Sequence, residues 1–138
     1  MAEVTIHAQV DVNPTESEEK VKTAVTNVLG NASITIKPES KVSILIAECR
    51  GQDSLIKLRN LLRNDRIRDA ARRVLFHSIR GDTIVFCLNK QVAFAGHISF
   101  SEETAESPLG PIRVTITSDN PRQLIEWLAE KSVRGEEG

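Results

Sequence analysis

The stretch VTIHAQVDV, residues 4–12, alternates strictly: Val4, Ile6, Ala8, Val10 and Val12 fall on one side, and Thr5, His7, Gln9 and Asp11 on the other. Period-two patterning of this length marks a β-strand with one face in a core and the other in water. Such a strand cannot stand alone. It needs neighbours to take its backbone hydrogen bonds and a layer to cover its apolar side. His7 lies on the polar side beside Gln9, with no second metal-type residue at a matching spacing, and reads as a solvated histidine.

The covering layer is legible further along. In NPTESEEKVKTAVTNVLG, Thr15 is placed to cap a helix, with Glu18 three residues on completing a capping box. The acids Glu16, Glu18 and Glu19 suit the first turn, Val21, Ala24, Val25 and Val28 give helical spacing, and Gly30 supplies the stop. SITIK and VSILIAEC read as strands around a KPES turn, the second apolar enough for an interior position in a sheet. DSLIKLRNLLRNDRIRDAARRVLFHSI then holds two helices. Leu55, Leu58, Leu61 and Leu62 stripe the first, Ile67, Ala70, Ala71, Val74 and Leu75 the second, and Asn64-Asp65 is the break.

DTIVFCL and QVAFAGHISF predict two strands joined at Leu88–Gln91, with Asn89 taking a positive φ and Lys90 at the hairpin tip. PIRVTIT predicts a further strand. SDNPRQLIEWLAEK predicts a last helix, with Asn120 as cap, Pro121 at its first position and Gln123 three beyond the cap. The order strand-helix-strand-strand-helix-helix-strand-strand-strand-helix describes an α+β fold: a largely antiparallel sheet with helices on one face. Residues 1–132 form one domain on this reading, and 133–138 a flexible acidic tail. Alternating βαβ units with a Gly-rich phosphate loop are absent, which argues against a Rossmann or P-loop domain.

With 40% apolar and 27% charged residues, the 138-residue chain sits among soluble globular proteins. It has no apolar run near the ~18 residues of a membrane span. The start, without a basic and apolar leader, implies a cytoplasmic protein with no membrane partner. Cys49 and Cys87 fall within expected strands without CxxC spacing and read as buried free thiols.

Charge is where function first shows. The net charge is only −1, yet Lys57–Arg80 holds eight basic residues (Lys57, Arg59, Arg63, Arg66, Arg68, Arg72, Arg73, Arg80) against Asp65 and Asp69. Seven of the eight are arginine, whose planar fork suits phosphate. Arg59 and Arg63 are four apart, as are Arg68 and Arg72, so each pair shares one helix surface. Arg59, Arg63, Arg66, Arg68, Arg72 and Arg73 are the candidate phosphate contacts, with Lys90 secondary. Four Phe, one Trp and no Tyr leave little for base stacking, so the composition suits phosphate or shape recognition of structured RNA. The alternative is a structural or protein-interaction module whose basic helices are solvated or meet acidic surfaces.

Catalysis has no such signal. His7, His77 and His97 are scattered, Ser107 lacks a GxSxG setting, and there is no HExxH and no paired-carboxylate arrangement. No catalytic residue, metal site or cofactor is assigned. The stiff run ESPLGPI, residues 106–112, fixes φ twice through Pro108 and Pro111, and Gly110 allows an unusual backbone angle. It reads as a structural corner leading into the next strand.

The run LNKQVAFAGHISF…ESPLGPIRVTI, with RGDTIVFCLNKQ before it, the basic helices upstream and a VTIHAQVDVNPTE start, resembles an archaeal family of uncharacterised proteins labelled RNA-binding or exosome-associated. The likeness spans most of the chain, with ESPLGPI and LNKQ its most specific segments. It implies a fold similar to the large-subunit ribosomal protein that binds 5S ribosomal RNA, and RNA-processing complex proteins as partners. It carries over no catalytic residue. The oligomeric state stays open, a homodimer included.

Overall fold

Strand β1 (Val4–Val12) lies between β3 (Ser43–Arg50) and β7 (Ile112–Ser118), antiparallel to both, so that Ala8 faces Ala47 on one side and Val114 on the other. The computed structural model describes residues 3–39, 41–64, 66–101 and 110–130. From β3 the sheet extends to β2 (Ser33–Pro38), and from β7 to β5 (Thr83–Leu88) and β4 (Ile79–Arg80), giving the order β2-β3-β1-β7-β5-β4, with β6 (Phe100–Ser101) also paired to β5. Every pairing among the described residues is antiparallel. The α+β class and the antiparallel sheet are as the pattern implies.

The apolar side of β1 is buried as its alternation requires, and the same core takes Leu45 and Ala47 of β3, Ile84 and Phe86 of β5, and Val114 and Ile116 of β7. Over it lie Val21, Ala24, Val25 and Val28 of α1 (Glu18–Val28), Leu58 and Leu62 of α2 (Ile56–Asn64), Ala71 and Leu75 of α3 (Arg68–His77), and Leu124, Ile125 and Leu128 of α5 (Pro121–Leu128). Fully burying side chains of this size contributes about 1.5–3 kcal/mol each, which makes this layer the main source of stability. The opposite face is polar and accessible, with Thr5, His7, Thr115 and Thr117 across the central strands. There His7 Nδ1 stands 3.7 Å from Glu48 Oε2 of the neighbouring strand, so the solvated histidine has a cross-strand partner. Cys49 and Cys87 are free and buried, and desolvation pushes the Cys49 thiol up.

QVAFAGHISF is not a strand over most of its length; only its last residue, Phe100, lies in one, β6, which does pair antiparallel with β5. Residues Lys90–Phe94 form a short helix, α4. Asn89 does not take a positive φ; at φ −69 it caps the helix, its Oδ1 accepting from Val92 N at 2.9 Å. The helix ends in a Schellman motif: Gly96 N donates to Ala93 O and His97 N to Val92 O, with Gly96 at φ +87. The glycine that the strand reading passed over is a helix stop.

Two smaller corrections concern caps and turns. Ser17, not Thr15, caps α1, its Oγ accepting from Lys20 N at 3.4 Å. Strand β4 is an addition, joined to β5 by a two-residue loop whose first residue is Gly81 at φ +65. The cap at Asn120 is as the sequence indicates, accepting from Gln123 N at 3.1 Å. Gly110 has φ +85, but Glu106, Ser107 and Pro108 of the corner, Asp65 of the interhelical break and the tail at 133–138 lie outside the described residues.

Candidate nucleic-acid interface

Helix α5 lies beside the two basic helices, and its carboxylates decide the fate of their arginines. Glu130, just past the end of α5, places Oε1 3.4 Å from Arg59 Nη2, 3.4 Å from Arg63 Nη2 and 3.9 Å from Arg68 Nη1. Glu126 takes Arg72 in a two-pronged pair, 2.6 Å from Nη1 to Oε1 and 3.3 Å from Nη2 to Oε2. That pair raises the Arg72 pKa further, so the guanidinium is charged at any working pH.

The same arginines cap the end of α5. Arg59 Nε donates to Trp127 O at 3.0 Å, and Arg72 Nη1 to Ala129 O at 3.2 Å. The last carbonyls of a helix carry no intrahelical partner and a partial negative charge, so a guanidinium there both satisfies and stabilises them. Arg59 also lies 5.3 Å from the Trp127 ring centroid, while Arg72 and Arg122 approach Phe76 at 5.3 and 5.7 Å. Four of the six candidate arginines thus hold the last helix down.

Two candidates are removed as surface contacts by burial. Arg68 is 2% exposed and Lys90 4%. Lys90 is not at a hairpin tip, because the segment is α4. Its Nζ donates to Asp11 O at 2.8 Å and to Glu16 Oε1 and Oε2 at 3.0 and 3.1 Å. Burial by itself pushes the Glu16 carboxyl up. The hydrogen bonds from Asn13 N, Asn13 Nδ2 and Lys90 outweigh it and hold that carboxyl below its ordinary value.

What remains accessible runs along α3. Arg66 stands at its entry with φ +57, Arg73 lies in its middle and Arg80 follows its end, all three exposed. Arg66 and Arg73 make no ion pair with any described residue; Arg80 curls onto His77 O and Ile79 O at 3.0 and 2.9 Å. Ten residues of α-helix span about 15 Å, so these cations form an extended row and not a single pocket. Glu126 and Glu130 were missed by the sequence reading. The available signal was the four-residue spacing of Glu126 and Glu130, which mirrors the spacing of Arg59 with Arg63 and of Arg68 with Arg72.

Comparison with known proteins gives this fold a family. A family model described as RNA binding matches residues 5–118. A UPF0201 protein of Pyrobaculum islandicum is 44% identical over 94% of this chain and 92% of its own, and one of Saccharolobus solfataricus is 38% identical over 96% and 91%. The crystal structure of a UPF0201 protein from Methanococcus jannaschii has a TM-score of 0.82 at 30% identity, covering 96% of both chains. The chain belongs to the UPF0201 family. A Sulfolobus solfataricus protein at 15% identity, TM-score 0.68, covering 91% of this chain and 96% of its own, shares the fold alone.

No helix among the described residues is long and apolar enough to cross a membrane.

Proposed function

We propose that this protein binds structured RNA through phosphate contacts along the exposed side of α3, without catalysing a reaction on it. The observation that carries the reading is the basic segment Lys57–Arg80. In sequence its eight cations exceed the acids of the segment, Asp65 and Asp69, by six, and among the described residues Glu126 of α5 and Glu130 just past it offset part of that excess. A family model described as RNA binding supports the same class of ligand. Arg66, Arg73 and Arg80 are the leading contacts, with Arg63 half-exposed at the edge. Each engaged phosphate releases condensed counterions, so affinity should fall with salt and vary little with base identity. An RNA-processing complex such as the exosome, and a fold like that of the 5S-rRNA-binding ribosomal protein, are extensions of this proposal that rest on the resemblance in sequence. The deciding experiment is titration of a structured RNA into wild type and Arg66→Gln/Arg73→Gln at several salt concentrations. Weaker binding by the double variant is expected; equal affinities would move the contact elsewhere.

The second reading, a protein-interaction module, is favoured by the internal pairing itself: five of the seven nominated cations already hold acids or carbonyls of this chain. Crosslinking in native cells with sequencing of captured RNA separates the two, since recovery of no enriched RNA would favour the module.

A further inference from the structure

Three guanidiniums, from α2 and α3, meet on one carboxylate oxygen at the end of α5. The distances from Glu130 Oε1 to Arg59, Arg63 and Arg68, 3.4, 3.4 and 3.9 Å, are ion-pair separations. They exceed the ~2.8 Å of a well-made charge-assisted hydrogen bond. The neighbouring Arg72–Glu126 pair, with a contact at 2.6 Å, shows what one fork on one carboxylate achieves here. A planar carboxylate cannot offer a separate oxygen to three forks arriving from different directions. A free or terminal phosphate group can, and a backbone phosphodiester, with two unesterified oxygens, still presents them and its ester oxygens tetrahedrally, in directions a planar carboxylate does not reach.

Charge and access agree. Among the described residues Arg59 and Arg63 share the single Glu130 oxygen, two cations on one anion, while Glu126 is engaged by Arg72 and Asp69 also acts on Arg72. The side chains of Glu130 and Arg63 are 44% and 46% exposed, so the carboxylate has room to leave and an anion has room to enter. Arg59, held by Trp127, and buried Arg68 form a fixed floor. A floor already ordered in the unliganded protein spares the ligand the entropy of assembling it.

We propose that Arg59, Arg63 and Arg68 form a phosphate-group site that Glu130 fills when no phosphate is bound. The class of ligand is a phosphate oxyanion. That its source is a nucleic-acid backbone rests on the RNA-binding reading above, whereas the site itself does not. Exchange needs only that the Glu130 side chain swing into solvent as phosphate oxygens take its place. Buried Arg68 then contributes to binding from beneath, a role distinct from the surface contact its sequence position suggested.

The test uses the full chain, Glu130→Gln, and Glu130→Gln/Arg63→Ala, titrated with inorganic phosphate at low ionic strength and, separately, with a structured RNA. Glu130→Gln keeps the shape and removes the competing charge. It should bind phosphate about fivefold more tightly, the size expected from releasing one partly exposed ion pair, and adding Arg63→Ala should return affinity to wild type or below. Phosphate binding no tighter than wild type would overturn the proposal. Should Glu130→Gln melt early, Arg63→Ala in the otherwise native chain serves instead, with loss of phosphate binding expected and unchanged binding contradicting the site. A parallel gain for RNA supports the backbone as the source; a gain for phosphate alone keeps the site and overturns that source. RNA binding that Arg66→Gln/Arg73→Gln abolishes, but Glu130→Gln leaves untouched, overturns the backbone as the source and spares the reading above, and the phosphate titration alone then judges the site. No RNA binding by any variant sinks that reading, and the phosphate titration still judges the site.

Discussion

Arg72 and Arg73 are neighbours in one helix and do opposite things. Arg72 is clamped between Glu126 and the Ala129 carbonyl, whereas Arg73 points to solvent with no ion pair among the described residues. The same division runs through the whole basic segment: Arg59, Arg63, Arg68 and Arg72 are bound to the end of α5, and Arg66, Arg73 and Arg80 are left outside. A run of arginine in a sequence therefore does not count the charges available to a ligand. Helical phase and the position of the next element decide which guanidiniums are structural.

The comparison is broken most forcefully at the extreme of the clamped class. Lys90 is buried and the Glu16 side chain is only 11% exposed, so removing Lys90 takes the cation from a carboxylate largely out of water. Lys90→Met should cost about 3 kcal/mol in a denaturant melt, and Lys90→Met/Glu16→Gln should recover part of it. If Lys90→Met melts like wild type, the pair is not structural and Lys90 returns as a candidate contact. The Glu16 carboxyl is held below its ordinary value of 4.5, so its contribution is present above that value and is lost as pH falls through the lower folded pKa. Stability measured against pH should therefore decline on the acid side below about 4.5, and the decline should be smaller in Lys90→Met. It should not vanish, because the Asn13 hydrogen bonds remain.

Arg72→Ala comes next. It deletes a charged hydrogen-bond pair, a cap on α5 and the packing on Phe76, at about 2 kcal/mol in total for a site only partly in water. Glu126→Gln should cost less, since the neutral amide can still accept from the guanidinium. A double-mutant cycle sharpens the assignment: if Arg72→Ala costs the same in the Glu126→Gln background, the pair carries no coupling and the cap and the packing on Phe76 explain the loss.

Gly110→Ala, outside the basic segment, isolates the backbone. At φ +85 an L side chain is strained, and among the described residues nothing lies within 4 Å of where the added Cβ would stand. The expected loss is about 1 kcal/mol. A Gly110→Ala protein as stable as wild type would show that this corner tolerates other conformations.

The fold was legible where side-chain period and burial coincide. The alternation of β1, the stripes of α1, α2 and α3, and the Asn120-Pro121 helix start all follow from local physics. QVAFAGHISF failed because five helical residues are too few to display a period, and its capping residues Asn89 and Gly96 also suit a hairpin. For the same reason Lys90 was misplaced with it. The arginine pairs were correctly put on helix surfaces, but a surface is exposed only if nothing docks there. That α5 docks on those helices is a long-range fact, hinted at only by the spacing of Glu126 and Glu130.

The smallest effect on stability belongs to the exposed class, and it tests the comparison most directly. Arg66→Gln/Arg73→Gln removes two charges and keeps a non-glycine residue at the positive φ of position 66, so backbone strain is unchanged. Surface substitutions of this kind usually alter stability by no more than about 0.5 kcal/mol. If both side chains contact phosphates, the slope of log K against log salt should flatten by about 1.4 to 1.8, at 0.7 to 0.9 per contact depending on strandedness. Affinity should drop similarly for RNAs of different sequence, because a phosphate contact reads no base. Arg72→Ala provides the contrast, losing stability with much less change in slope, since its guanidinium is occupied before any RNA arrives. Should Arg72→Ala flatten the slope as much as the double variant while melting like wild type, the division into clamped and free arginines would be reversed, and α5 would have to move aside when RNA binds.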